Sequence, residues 1–582
     1  MSSGHKSHQL VVTHATRSTQ QFATKATRKK SSRRVTRAGI VAAVAASVAT
    51  TATALPAYAS KIHATASTSV LTVAGDDGGP FPSSENPYGT VNGLGQFTPF
   101  VYEPLYQFDW LKPTEAIPWL ATKYAWSNNG RAITFVIRPG VKWSDGTPFT
   151  AGDVAFTYDM IMKNPSINFD GLQITGVKTI GANEVRLTFA KPAYSQFYYI
   201  ASQYIVPEHI WKSYPNPATA QNPKPVGTGP YLVSTFSPEA IILKPNPAYW
   251  GTKPKVQEIV EPNILNNNTC DDYLYTGKAQ WGGCFLADFN KFKANKYNVF
   301  NSSPEQLQGL LPNFTVFPTN NLAFRQAVSL VLNRKTIAIA GDLGEEPWTT
   351  SPTGLVLPAE KAYMAPQYAH LTYHQNVPEA KAILKKAGFK WSPSGALEAP
   401  DGKPINVTIM VVAAYSDNVA AAETILQEWK AIGLHGTLKL EAPTAFTATE
   451  EAGNFEFAEY GSAGGLTPYN VYNSFMNSAL SAPIGHTAVG DYGRFKSAAA
   501  DADLAAFASS GSFTVQKKAI MGLENIYVKE LPLIDFQYTV AWGENNTQYF
   551  TGWPSASDPY ALGTSYYTPE DELVILHLRP RS

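Results

Sequence analysis

Hydrophobic and polar positions alternate with two different periods along this chain. Ile133, Phe135 and Ile137 take turns with Thr134, Val136 and Arg138, the period of a half-buried strand, and Val185, Leu187 and Phe189 repeat it. Asp145-Gly146 marks a tight turn between them. Thr150 then precedes an apolar-periodic run with Asp153 three residues on, an acidic variant of the capping box, and predicts a helix running to about Lys163, before Asn164-Pro165. Ser69 to Ala74 reads as the first strand. Gly75 to Gly95 is a Gly/Pro/Asn-rich loop of a length that is often functional.

Further on, Leu322 to Ile339 reads as helical, and Pro378 to Ala387 is a helix with Pro at its start and Gly388 at its end. Ile405 to Val412 is nearly all apolar, as in a strand covered on both faces. Val419, Ala422, Leu426, Trp429 and Ile432 share one helical face, which Gly433 closes. Strands alternating with helices predict an α/β fold.

At 582 residues the chain is too long for one ordinary core, and two or three domains are expected. A hydrophobic content of 44% with 16% charged residues is that of a globular protein. Aromatics reach 12%, with 30 Tyr and 12 Trp, which suits a grip on a ligand through flat amphipathic side chains as well as a large core. Residues 1–37 hold nine Lys or Arg and no acid, an uncharged Ala- and Thr-rich run follows, and Ala57-Tyr58-Ala59 is a small-x-small site. Residues 1–59 are therefore expected to be a secretory signal peptide, with a retained membrane anchor as the alternative. Ser32-Arg33-Arg34 hints at twin-arginine export. Without those residues, 37 Lys and Arg face 45 Asp and Glu, a net charge of −8. That balance argues against nucleic acid and anionic lipid as partners.

One segment carries most of the identity: Arg138-Pro139-Gly140-Val141-Lys142-Trp143-Ser144-Asp145-Gly146-Thr147-Pro148-Phe149-Thr150-Ala151-Gly152-Asp153-Val154. Tyr102-Glu103-Pro104-Leu105 precedes it. Gly227-Thr228-Gly229-Pro230-Tyr231, Asn246-Pro247-Ala248-Tyr249-Trp250 and Phe324-Arg325-Gln326-Ala327-Val328 with Asn333-Arg334 follow in order. The set resembles the extracellular solute-binding proteins of family 5, receptors that feed dipeptides, oligopeptides, nickel chelates or some oligosaccharides to ABC importers. The resemblance runs from about residue 70 to the C-terminus. It implies a two-lobed periplasmic-binding-protein-like fold (class II), mixed sheets with flanking helices, and lobes joined by two chain crossings. Lobe I is expected to hold 60–318 with 536–582 returning to it, and lobe II 319–535. It also implies an exported monomer without enzymatic activity or cofactor. That monomer would capture a small oligomeric solute by hinge closure and deliver it to a membrane permease. No cysteine follows the apolar run, so the lipid-anchored form of the family is not encoded. The only cysteines, Cys270 and Cys284, are expected to bridge in an exported protein, for roughly 3 kcal/mol, or else to remain two free thiols.

No His-Glu-x-x-His, Gly-x-Ser-x-Gly or Cys-x-x-Cys occurs. The Gly-Thr-Gly at 227–229 lacks the Lys-Ser/Thr of a phosphate loop, and His370 with His374 reads as a surface pair, not a metal site. A solute held between lobes loses its water, so its polar groups need matched partners and its apolar parts want aromatic walls. The candidate walls are Tyr102, Trp348, Tyr415, Tyr460, Tyr469, Tyr472 and Trp553, with Glu103, Asp417 and Asn470 as polar contacts. The family's peptide binders hold the ligand's α-ammonium on an Asp. The matching stretch here, Glu459 to Asn470, contains no Asp, and Glu459 is the substitute it offers. Pro483-Ile484-Gly485 and Asp491-Tyr492-Gly493-Arg494-Phe495 look more like the sugar-binding branch. Peptide capture is the leading expectation and oligosaccharide (cello-, xylo- or manno-type) the rival; a secreted hydrolase is the reading from another class.

Overall fold

The computed structural model describes residues 69–581 apart from 76–80, 83, 90–92, 113–114, 265–266, 285, 287 and 414. The expected signal segment 1–59 lies outside the described residues. Ten strands form the main sheet: β1 Val70–Ala74, β2 Tyr231–Ser237, β3 Ala240–Pro245, β4 Glu258–Pro262, β5 Trp281–Gly282, β6 Asn298–Pro312, β7 Asn406–Val412, β8 His435–Glu441, β9 Phe457–Gly461 and β10 Ile534–Asn546. Their spatial order is β8-β7-β9-β6-β10-β5-β1-β4-β3-β2. Pairing is mixed: β1 lies parallel to β4 and β5, β7 parallel to β8 and β9, and β6 antiparallel to β10.

β6 and β10, fifteen and thirteen residues long, bind the two ends of this sheet together. Apolar clusters on one side draw on residues 71–300 and 542–578, and those on the other on residues 307–538; Leu466 alone packs into the opposite side's core. The chain therefore passes between the halves twice, once outward along β6 and once back along β10, and the fold is two-lobed. At the passage both strands lose their cover. Ser303 to Gln306 are half-buried ahead of the buried run that starts at Leu307, and Thr539 is half-buried between buried Tyr538 and Val540. Lobe I adds a four-stranded antiparallel sheet in the order Ala121–Ser127, Ala132–Ile137, Glu184–Phe189, Ile174–Ile180.

The strands expected around Phe135 and Leu187 are present, with their alternating residues turned into the core. The helix after the turn runs Ala151–Lys163, and its capping box is complete: Thr150 Oγ1 accepts from Gly152 N at 3.2 Å while Asp153 Oδ2 accepts from Thr150 N at 2.8 Å. The helical stretch at Leu322 to Ile339 is a correction. It is two helices, Leu322–Leu330 and Arg334–Asp342, because the Asn333 side chain accepts from Thr336 N at 3.2 Å and caps a new start. Cys270 and Cys284 are joined by a disulfide bond, their Cα atoms 6.5 Å apart. Among the described residues no helix is long and apolar enough to cross a membrane.

Candidate functional site

The sequence motifs of lobe I meet in one buried knot. Glu103 is wholly buried and accepts from Trp119 Nε1 at 2.8 Å, Tyr249 OH at 2.9 Å and Trp250 Nε1 at 2.8 Å. Burial raises its carboxyl above the usual range, against the lowering effect of these donors. Gln107 Nε2 donates to Glu572 at 2.5 Å, and Tyr249 OH lies 3.4 Å from the same carboxyl. Tyr102, also wholly buried, accepts from Asn222 Nδ2 at 2.8 Å through its hydroxyl. Gly227 packs so tightly on this segment that a Cβ there would lie 1.7 Å from Val101 O. Its own carbonyl accepts from Ser144 N at 2.9 Å. Tyr102 and Glu103, read from the sequence as contacts for a solute, are corrected here. Their polar atoms are spent inside lobe I and no surface is left to touch a ligand.

The passage between the lobes is built differently. Gln308 on β6 and Gln537 on β10 face each other across the ladder. Gln537 Nε2 donates to Gln308 Oε1 at 2.6 Å, Asp342 Oδ2 at 2.6 Å and Glu346 Oε2 at 3.0 Å. Gln308 Nε2 donates to Asn418 Oδ1 and to Glu459 Oε1, both at 2.8 Å, and Asn418 Nδ2 donates to Glu459 Oε2 at 2.8 Å. Burial, reinforced by the Asp417 charge, pushes Asp342 up to about 6; burial pushes Glu459 up to about 7, and Glu346 rises well above its ordinary value. Each Glu459 oxygen thus already accepts a hydrogen bond from within lobe II.

Beyond β5, the outer edge of β10 has no neighbouring strand among the described residues until the short segment around Trp348, which bridges to Gln537. Side chains cover the gap. Glu346 Oε1 accepts from Val540 N at 3.3 Å, and the Tyr566 hydroxyl accepts from Trp542 N at 2.9 Å. One cap comes from the lobe II side and the other from lobe I.

The lobes also touch away from the sheet. Asn470 Nδ2 donates to the Tyr199 hydroxyl at 3.1 Å, and Gly511 of lobe II lies against the Tyr194 ring of lobe I. Tyr469 stacks on Phe507, ring centroids 5.0 Å apart. On the other flank Lys293 Nζ lies 3.8 Å from Glu345. Of the residues named from the sequence, Tyr469 and Asn470 thus lie at the contact between lobes, and Trp348 and Asp417 lie in lobe II beside the passage. Trp553 packs edge-on against Trp281 inside lobe I, with Nε1 bonded to no protein group among the described residues. Tyr460 is buried under Phe475 and Tyr492, and Tyr472 is buried with its hydroxyl on Thr353 O at 2.6 Å. Tyr415 is exposed at the start of the helix Ser416–Trp429. These three are not brought together with the others. Gln308, Gln537, Glu346 and Tyr566 were missed by the sequence reading. The signal available for them was a Pro-containing polar stretch, 298–306, that continues as an apolar run.

The family model described as bacterial extracellular solute-binding proteins, family 5 Middle, matches residues 115–482. The chain belongs to this family. The nickel-binding periplasmic protein of Escherichia coli K12 is 27% identical over 378 residues, which cover 61% of this chain and 68% of that one. The dipeptide-binding protein of the same organism is 26% identical over 58% of this chain and 65% of its own length. Among solved structures, a periplasmic oligopeptide-binding protein of an ABC transporter from Thermotoga maritima superposes with a TM-score of 0.80 at 24% identity, covering 88% of this chain and 99% of that one. A mannohexaose-bound structure of the Thermotoga protein gives a TM-score of 0.71 at 25% identity, with the same coverage.

Proposed function

We propose that this chain is the extracytoplasmic receptor of an ABC importer that clamps a peptide between its lobes and delivers it unchanged to a membrane permease. The observation that carries this reading is the pair of antiparallel strands β6 and β10. They are the two routes between lobes whose other contacts, among them Asn470 with Tyr199 and Lys293 with Glu345, are made by side chains and can break and reform. Opening would pivot on 303–306 and 539–541. Lobe I would then comprise 60–318 with 536–582, and lobe II 319–535, apart from the ends of β6 and β10 that cross over. A solute stabilises the closed state only by touching both lobes, because it shifts the equilibrium by its difference in affinity for the two states. The protein would act as a monomer after export, with no cofactor.

A second reading, an oligosaccharide receptor, is favoured by one observation. Glu459, the seat offered for a peptide α-ammonium, is buried and doubly occupied. The likeness to a protein solved with mannohexaose points the same way.

A thermal-shift screen of di- to hexapeptides beside cello-, xylo- and manno-oligosaccharides, with product analysis, tests both readings. A rise in Tm with one class and no turnover supports the receptor and names the class. Cleaved products would overturn it in favour of a hydrolase.

A further inference from the structure

Glu305 stands at the passage between the lobes, at the first of two places where β6 breaks register with β10. Pro304 pairs with Val540 and Gln306 with Thr539, so Glu305 is the extra residue of a β-bulge. A bulge bends its strand and re-aims the side chain it leaves unpaired. The residue is only half-buried, yet its Oε2 is out of reach of solvent and, among the described residues, bonds no protein group. Desolvation pushes its carboxyl up to about 8, and no cation offsets this.

Its surroundings come from both lobes and carry one sign of charge. Tyr566 of lobe I caps Trp542 N on the neighbouring strand β10. The phenol is pushed well up, first by burial and then by the charge of Glu305, with Glu544 and Glu346 adding to it. Tyr566 keeps 37% of its surface exposed, its ring held against Gly283, where a Cβ would come within 2.3 Å of it. Glu544 is wholly buried, with Oε1 bonded to no protein group and the carboxyl raised to about 8 by burial. Among the described residues neither Glu305, Glu346 nor Glu544 is ion-paired with a Lys or Arg. An unpaired carboxylate in so dry a place is stabilised most by a positively charged hydrogen-bond donor.

Building on the receptor reading, we propose that Glu305 is the anchor for a protonated amine of the solute, with the Tyr566 ring as its wall, and that this pair selects amine-bearing solutes over neutral ones. Glu305 lies on the crossing strand, so an ammonium seated there reports to both lobes at once. The ammonium can come from a peptide N-terminus or from a lysine side chain, and the two sources are separable.

The test is calorimetric titration of the full-length exported protein with four probes. These are tetra-alanine amide with a free α-amine, acetyl-Ala-Lys-Ala-amide, acetyl-tetra-alanine amide and mannohexaose. One or both amine probes are expected to bind at least tenfold more tightly than the acetylated neutral peptide, and the probe that does so names the source. Glu305→Gln, of nearly the same shape, is expected to erase that difference, while Glu305→Asp retains part of it. Unchanged Tm and circular dichroism establish that both variants fold. The proposal is overturned if the amine preference survives Glu305→Gln. It is also overturned if the neutral peptide or mannohexaose binds as tightly as the amine probes; binding of mannohexaose alone would leave the receptor reading standing. If none of the four binds, the receptor reading falls with it.

Discussion

Glu103 and Glu305 are the same residue in two settings. Burial raises the carboxyl of both. Around Glu103, three donors from Trp119, Tyr249 and Trp250 converge within a single lobe, and the segments that carry the family resemblance fold together to supply them. Around Glu305 the strands that run between both lobes meet, the ladder skips a residue, and among the described residues one oxygen has no protein partner. A buried carboxylate whose partners all belong to one rigid body holds that body together. One left incomplete at the boundary of two bodies is available to a third participant. Burial alone does not separate structural acids from functional ones; the origin of their partners does.

The comparison breaks most visibly if Glu103 is truncated. Glu103→Ala strands three buried donors and is expected to destabilise lobe I by about 4 kcal/mol. Urea unfolding would read this, while solute affinity of the folded fraction stays unchanged. Replacing both cysteines by serine is expected to cost about 3 kcal/mol by the same measurement, since the bond constrains the unfolded chain.

A pH series sharpens the contrast for the acids as a group. Asp342, Glu459, Glu305 and Glu544 sit at about 6, 7, 8 and 8 in the folded protein, above an unfolded value of about 4. The folded state binds the extra protons, so their contribution is fully present below about pH 4 and lost as pH rises through 6 to 8. Tm is expected to be several degrees lower at pH 8.5 than at pH 5.5, and a flat profile would contradict it. Asn470→Ala removes a bond between the lobes without touching either core. It is expected to weaken solute binding about fivefold with Tm of the empty protein unchanged, roughly the worth of one hydrogen bond. The smallest effect belongs to Tyr415→Ala, within about 0.5 kcal/mol of stability, since the ring is exposed.

Lobe I was largely legible because its elements obey one period each. The strand at Ala132–Ile137 alternates strictly, and the helix Ala151–Lys163 announces its start through Thr150 and Asp153 and its end through Asn164-Pro165. The passage was not legible for the same physical reason that makes it a passage. β6 changes its surroundings along its length, from a half-exposed stretch to a run buried from Leu307 onward, so no single alternation survives. Pro304 reads as a strand breaker in sequence but sits beside the bulge, where a missing donor is tolerated. The site residues fared likewise. Tyr469 and Asn470, read from a polar-aromatic stretch opening a helix, lie at the contact between the lobes, whereas Tyr102 and Glu103, read from a family motif, are buried within lobe I.

The uncovered edge of β10 has a mechanical consequence. Backbone ladders resist twisting because many bonds must shift in step, but the amides of Val540 and Trp542 are held by a carboxylate and a phenol on flexible stems. Those stems can follow the strand as it twists, giving the joint compliance without leaving donors bare. The same two side chains occupy the spot where a foreign strand would dock, so a molecule that must bend at an unpaired edge does not thereby become sticky.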